Sequence, residues 1–209
     1  MKVVHLGQTR QPCPCHACAF FTSKEEEYRV MLPFMAEGFE AGDKLVHILD
    51  KDHRAERVAR LSQVGINVET AEREGQLELL PWEEAHLIDG CFDQWRMLDG
   101  FHKRFAADNE RYEATRLWSN QEWALRDLPG VLDIIEYESR FNLIWPKYQD
   151  VTVCVYDATK FSGEVMMGMM RTHPLVIVDS VARPNPFYVP PEELLKELRG
   201  YRPARLTTL

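Results

Sequence analysis

A three-layer α/β fold around a mainly parallel sheet is what this sequence predicts, on three observations. Short apolar runs alternate with amphipathic stretches of helical period along the chain, the pattern of repeated strand and helix units. Val151–Tyr156 is β-branched and apolar in the manner of a central strand. Cys13–Phe21 turns apolar, passes through Thr22-Ser23 and opens an amphipathic run at Lys24, the strand, turn, helix order at which nucleotide-binding folds place a phosphate loop. Such a loop, G-x-x-x-x-G-K-[ST], needs glycines so that backbone N–H groups can surround phosphate oxygens. None stands between Phe21 and Lys24. The topology is therefore nucleotidase-like, with a ligand site not built for ATP.

Taken in order, the elements follow from spacing and punctuation. Residues 1–12 are an N-terminal extension. After the Cys13–Phe21 strand, Tyr28, Met31, Leu32, Met35 and Phe39 put one buried face on a helix from Glu25 to Ala41; Glu25-Glu26-Glu27 suits its positive end and Ser23 its cap. Lys44–Leu49 is a short buried strand, Asp50 or Asp52 caps a helix to about Val64, and Gly65-Ile66-Asn67-Val68 begins another strand. Leu77–Leu80 is a strand, Cys91–Ala107 a helix, Ala114–Trp118 a strand, and Gly130–Tyr148 one long helix. The Val151–Tyr156 strand, a Met-rich helix over Gly163–Arg171 and a strand over Pro174–Val178 follow. Arg183–Pro191 reads as a rigid, proline-set connection and Glu192–Arg199 as a terminal helix, so that 13–191 form the main domain and 192–209 a helix and tail.

The chain has 209 residues, 45% hydrophobic and 28% charged, enough to bury a sizeable core. No apolar run approaches the roughly 20 residues of a membrane span, and the start lacks a secretory apolar region, so a cytoplasmic location is expected. The net charge of −8, from 25 basic and 33 acidic residues, argues against direct nucleic-acid binding. Five cysteines in a reducing compartment read as thiols or ligands rather than disulfides.

Ligands of parallel α/β sheets sit beyond the carboxyl ends of the strands, which draws attention to Phe20–Ser23, Leu49–Asp52, Trp118–Trp123, Tyr156-Asp157 and Asp179–Val181. Strand alternation puts His16, Cys18 and Phe20 on one face and Cys15, Ala17 and Ala19 on the other. Three readings of the cysteine segment stay open. Cys13, Cys15, His16 and Cys18 have donor types suited to zinc or another soft metal, although four ligands from one strand converge only if it coils. Cys18 could be a nucleophile activated by His16 or His173, but nothing resembling an oxyanion device flanks it, and no enzyme activity is expected. Or the cysteines are small buried hydrophobes and His16 a satisfied core imidazole. The aromatic and methionine residues of the second half mostly read as core. A pocket for a weakly polar molecule would use the same residues with His16, Cys18, Asp157 and His173 as polar groups.

Eight elements in order resemble the MEDS domain, the methanogen and methylotroph sensory domain of DcmR-type regulators, from about His16 to Tyr188. They are His16-Ala17-Cys18-Ala19-Phe20-Phe21; Pro33-Phe34 to Gly38 with Gly42-Asp43-Lys44; Gly75-Gln76-Leu77; Trp118; Tyr137-Glu138 with Asn142; Cys154-Val155-Tyr156-Asp157; His173-Pro174; and Asn185-Pro186-Phe187-Tyr188. The resemblance implies a RecA- and KaiC-like core without its phosphate loop. It also implies sensing of simple hydrocarbon derivatives, with the His-x-Cys motif at the ligand site. The expected ligand-binding set is His16, Cys18, Phe20, Trp118, Trp123, Tyr156, Asp157 and His173, with no cofactor expected. The alternative is a metal or thiol-redox sensor, with zinc or another soft metal at Cys13, Cys15, His16 and Cys18. Cys13 and Cys15 lie ahead of the family motif and favour that alternative. Output would pass to a protein partner, a kinase or a DNA-binding regulator; a homodimer stays open.

Overall fold

The computed structural model describes residues 2–201. A hairpin of β1 (Val3–Leu6) and β2 (Thr9–Pro12) precedes a seven-stranded sheet ordered β5-β4-β6-β7-β3-β8-β9. Its strands are β3 (Cys15–Phe21), β4 (Lys44–Leu49), β5 (Leu77–Pro81), β6 (Thr115–Asn120), β7 (Val151–Asp157), β8 (Leu175–Val178) and β9 (Val181–Pro184). All neighbours are parallel except the β8–β9 pair. The fold is the predicted α/β class, with strand crossovers made by α1 (Lys24–Glu40), α2 (Arg54–Gln63), α3 (Val68–Arg73), α4 (Gln94–Arg111), α5 (Ile134–Phe141) and α6 (Gly163–Thr172), and α7 (Pro191–Tyr201) at the end. Among the described residues no helix is long and apolar enough to cross a membrane.

Both faces of the central strands are buried, so β3, β4, β6 and β7 carry almost no exposed position and read as apolar runs without alternation. One core layer joins Ala17, Ala19 and Phe21 of β3 to α1. The other joins Cys18, Cys154 and Tyr156 to Phe101, Phe105, Tyr137 and Phe141 of α4 and α5. Gly38 lets α1 approach the sheet, since a Cβ there would stand 2.4 Å from the Arg116 side chain. Gly7 lets the hairpin reach the sheet edge: its φ is +60°, a Cβ would meet the Ser180 carbonyl at 2.0 Å, and it bridges to Val181.

Three expectations are corrected. Gly65–Val68 begins no strand; the Asn67 side chain accepts the Thr70 N–H at 3.1 Å and caps α3, with β5 following. Gly130–Tyr148 is not one helix: a 3-10 turn over Val131–Asp133 leads into the eight-residue α5, and a second 3-10 turn holds Trp145–Lys147. From Phe141 the chain tightens into i→i+3 bonds, Leu143 N to the Arg140 carbonyl and Ile144 N to the Phe141 carbonyl at 2.9 Å, and Pro146, which lacks an N–H, keeps an α-helix from resuming. Val181–Pro184, placed partly in the proline-set connection, is the antiparallel edge strand β9, turned back by Asp179 and Ser180 at φ 51° and 61°. The edge tolerates Pro184 because its missing N–H faces no further strand.

Candidate functional site

Where β3 gives way to α1, the helix supplies its own anion. Ser23 Oγ accepts the Glu26 N–H at 3.3 Å, and the Glu26 carboxylate accepts from Thr22 N at 2.8 Å and Thr22 Oγ at 2.9 Å, a reciprocal cap. Beside it Phe21, Lys24, Glu27, Glu122, Tyr156 and Asp157 enclose a cavity of only about 10 Å³. Carboxylates and lack of room replace the glycine-lined cradle a triphosphate needs.

The chemistry lies deeper, in the layer between the sheet and α5. Cys18 is in register with Cys154, and Phe20 with Tyr156, its ring stacked at 5.5 Å. His173, just ahead of β8, brings its ring to 4.2 Å from that of His16. From α5, Glu138 reaches both imidazoles, with Oε2 3.5 Å from His16 Nε2 and 3.5 Å from His173 Nε2. Cys154 Sγ lies 3.5 Å from His16 Nε2 and 3.8 Å from Glu138 Oε2. One helical turn on, Asn142 Nδ2 donates to the carbonyls of Glu138 and Thr172 at 3.0 and 2.6 Å, which leaves Oδ1 to accept from His16 Nδ1 at 3.1 Å. His173 Nδ1 donates to the Met169 carbonyl at 2.8 Å.

Burial dominates the electrostatics. It pushes His16 down to about 4 against the opposing Asn142 bond, and His173 down to about 3 with His16 adding to the effect, so both rings are neutral at pH 7. The Glu138 carboxyl is raised by burial, against the influence of His173 and its hydrogen-bonding neighbours. Among the described residues no Lys or Arg pairs with it. Glu138 Oε1 and His173 Nε2 have no hydrogen-bond partner. The Cys18 and Cys154 thiols are raised by burial, which keeps them protonated and poorly nucleophilic. Tyr156, also fully buried, is raised by burial and by the neighbouring Glu138.

Of the expected ligand set, the fold brings His16, Cys18, Phe20, Tyr156 and His173 together and separates the rest. Trp118 pairs in register with Val153 and so points to the opposite face, donating to Glu27 at 3.0 Å and stacking on His47 at 3.9 Å. Trp123 is on the His16 side but stacks on His86 at 4.5 Å. Asp157 ends β7 at the sheet rim, bonded to Thr159. The proposed metal set Cys13, Cys15, His16 and Cys18 does not converge: β3 stays extended, so Cys15 joins the α1 layer, and Cys13 lies there too, near Arg116. Glu138, Cys154 and Asn142 also meet His16; all three stand in the motif elements that carry the family resemblance but not in the expected ligand set. The available signal was the i, i+4 spacing of Glu138 and Asn142, which puts the acid and the C-cap amide of α5 on the face that carries Ile134 and Phe141.

Comparison with known proteins agrees with this architecture. The chain is 18% identical to the KaiC-like protein of the hyperthermophilic archaeon Pyrococcus horikoshii OT3, at a TM-score of 0.56 over 80% of this chain and 71% of that one, a likeness of fold. It is 24% identical over 160 residues to the transcriptional repressor DcmR of Methylorubrum extorquens, covering 76% of this chain and 57% of that protein. The model of the methanogen/methylotroph, DcmR sensory domain matches residues 15–174, from the strand that carries His16 and Cys18 to the His173-Pro174 step. A RecA-like sheet without its phosphate loop, a motif-bearing strand at its centre and this match together place the chain in the MEDS family of sensory domains.

Proposed function

We propose that this chain senses a small, weakly polar organic molecule of the simple hydrocarbon-derivative class. It would pass the binding event to a protein partner, a kinase or a DNA-binding regulator, without turning the molecule over, and do so in the cytoplasm. The observation that carries this reading is the fully buried layer of His16, Cys18, Glu138, Cys154, Tyr156 and His173, polar groups of a kind that cores retain for a role beyond packing. The repressor it resembles supports a regulatory output. Room for an occupant lies one aromatic layer away. A cavity of about 320 Å³, at the lower end of the range of small-molecule sites, is lined by apolar residues that include Ile48, Leu80, Met97 and Phe101 and by the charged side chains of Glu84, Arg96, Asp99, Lys103 and Arg104. Phe101 packs edge-on against Phe141 at 5.5 Å, and Phe141 against His16 at 4.9 Å. A molecule pressing on Phe101 therefore reaches the polar layer through two rings.

The test is thermal stabilisation of the purified chain by a panel of one- to three-carbon alcohols, aldehydes, amines and halides. A member of the panel is expected to raise the melting temperature in a saturable way. Tyr156→Phe and Phe101→Trp should each weaken that response about tenfold, the equivalent of one lost hydrogen bond or a filled cavity. A flat response across the panel, or variants that respond as the parent does, would refute the reading.

A further inference from the structure

We propose that the same layer is a four-ligand site for a borderline-soft divalent cation of the zinc class, formed by His16 Nε2, Glu138 Oε2, Cys154 Sγ and His173 Nε2. The donor atoms of these four residues lie within 4.8 Å of one another. Three of the separations given above, each 3.5 Å, match those of ligands around one ion, and the fourth, 3.8 Å, is a few tenths of an ångström longer. Zinc bonds of roughly 2.0 Å to nitrogen or oxygen and 2.3 Å to sulfur set tetrahedral edges of about 3.3–3.6 Å.

Hydrogen bonding around the cluster fixes which atoms face inward. Asn142 spends its amide hydrogens on backbone carbonyls, so its Oδ1 takes the proton of His16 Nδ1 and leaves His16 Nε2 as a bare lone pair. The Met169 carbonyl does the same for His173, whose Nε2 has no hydrogen-bond partner. Orienting partners of this kind accompany metal-bound imidazoles. Without a cation, two lone pairs and a thiol surround a carboxylate in a water-poor layer, an arrangement with no compensating charge. A divalent ion with one thiolate, one carboxylate and two neutral imidazoles sums to zero, which the interior accepts. Binding releases the Cys154 thiol proton to solvent, with no redox change. Thiolate and imidazole donors select zinc or cobalt over magnesium or calcium. The ion would tie β3, β7 and the approach to β8 to α5, the helix whose Phe141 touches both His16 and Phe101.

The inference shares its location with the sensory reading and stands on the four-atom geometry alone. Zinc is measured in protein purified without chelator, then removed, and cobalt(II) titrated into the metal-free chain. One bound ion per chain and the visible spectrum of tetrahedral cobalt with a thiolate charge-transfer band are expected. Cys154→Ser should abolish that band and weaken zinc by more than the roughly 10- to 100-fold that an orienting partner costs. Glu138→Gln and His173→Gln should also lose the ion, which keeps the test open if one variant fails to fold. Cys13→Ala and Cys15→Ala, on the other face, should bind as the parent does. Absence of stoichiometric metal in the parent, or loss in Cys15→Ala with retention in Cys154→Ser, overturns the site. A chain that binds zinc yet answers no organic compound supports the site and refutes the sensory reading. An organic response by parent protein that carries no stoichiometric metal as purified does the reverse.

Discussion

The two faces of the sheet bury carboxylates in opposite ways. On the α1 face, Glu27 accepts from Arg57 at 3.0 Å and from the Trp118 indole at 3.0 Å, while Arg116 binds Asp43 at 2.9 Å and the Phe34 carbonyl at 2.8 Å. On the α5 face, Glu138 meets two neutral imidazoles and a thiol. Opposite charges pair on the first face, although Arg57 Nε and Nη1 and His47 Nε2 find no hydrogen-bond partner among the described residues. The second is left incomplete in charge, and incompleteness in an otherwise well-packed core marks a place for something from outside.

Breaking the charge-paired face should cost most. Arg57→Met leaves Glu27 buried without its cation and should destabilise the chain by about 3–5 kcal/mol, read by chemical denaturation. A smaller loss would mean that Trp118 alone can hold that carboxylate. Glu138→Gln should act with the opposite sign in metal-free protein, raising stability by about 1–2 kcal/mol because it removes an uncompensated buried acid. Destabilisation by the same substitution would erase the contrast between the faces.

Asp150, where the chain enters β7, sharpens the comparison through pH. It accepts from Thr115 N at 2.8 Å and Asn109 Nδ2 at 3.1 Å, yet burial raises it to about 6, above its ordinary value. A carboxyl raised in the folded state costs nothing below the unfolded pKa, and its penalty grows as pH rises from about 4 to 6. The parent should therefore lose about 3 kcal/mol relative to Asp150→Asn across that window, at roughly 1.4 kcal/mol per pKa unit. Parallel stability curves for the two proteins would contradict the assignment.

The smallest effect is expected where β3 meets α1. Among the described residues Lys24 pairs with Glu56 alone, at 3.7 Å on the surface, so Lys24→Ala should change stability by less than about 0.5 kcal/mol. ATP should stabilise neither protein, as a thermal melt with and without nucleotide would show.

Much of this was legible in the sequence. Apolar runs gave β3 to β8 but neither the β1–β2 hairpin nor β9, and period-two alternation within β3 correctly separated His16 and Cys18 from Cys15. What was hidden depends on register and distance. Cys154 faces Cys18 only because β7 pairs with β3 residue for residue, and Glu138 faces them only because α5 starts after a turn that periodicity had merged into one long helix. Trp118 was assigned to the wrong face for the same reason: a strand end fixes a residue's height in the sheet, while register decides the side.

The carboxylate at the start of α1 has one more consequence. Glu26 is a competitor tethered a few residues from the atoms it occupies, so dilution cannot remove it and free nucleotide must contend with a local concentration in the millimolar range or above. A sheet shared with KaiC-like proteins thus carries, at this strand end, an internal anion that no change in solution conditions short of unfolding can wash away.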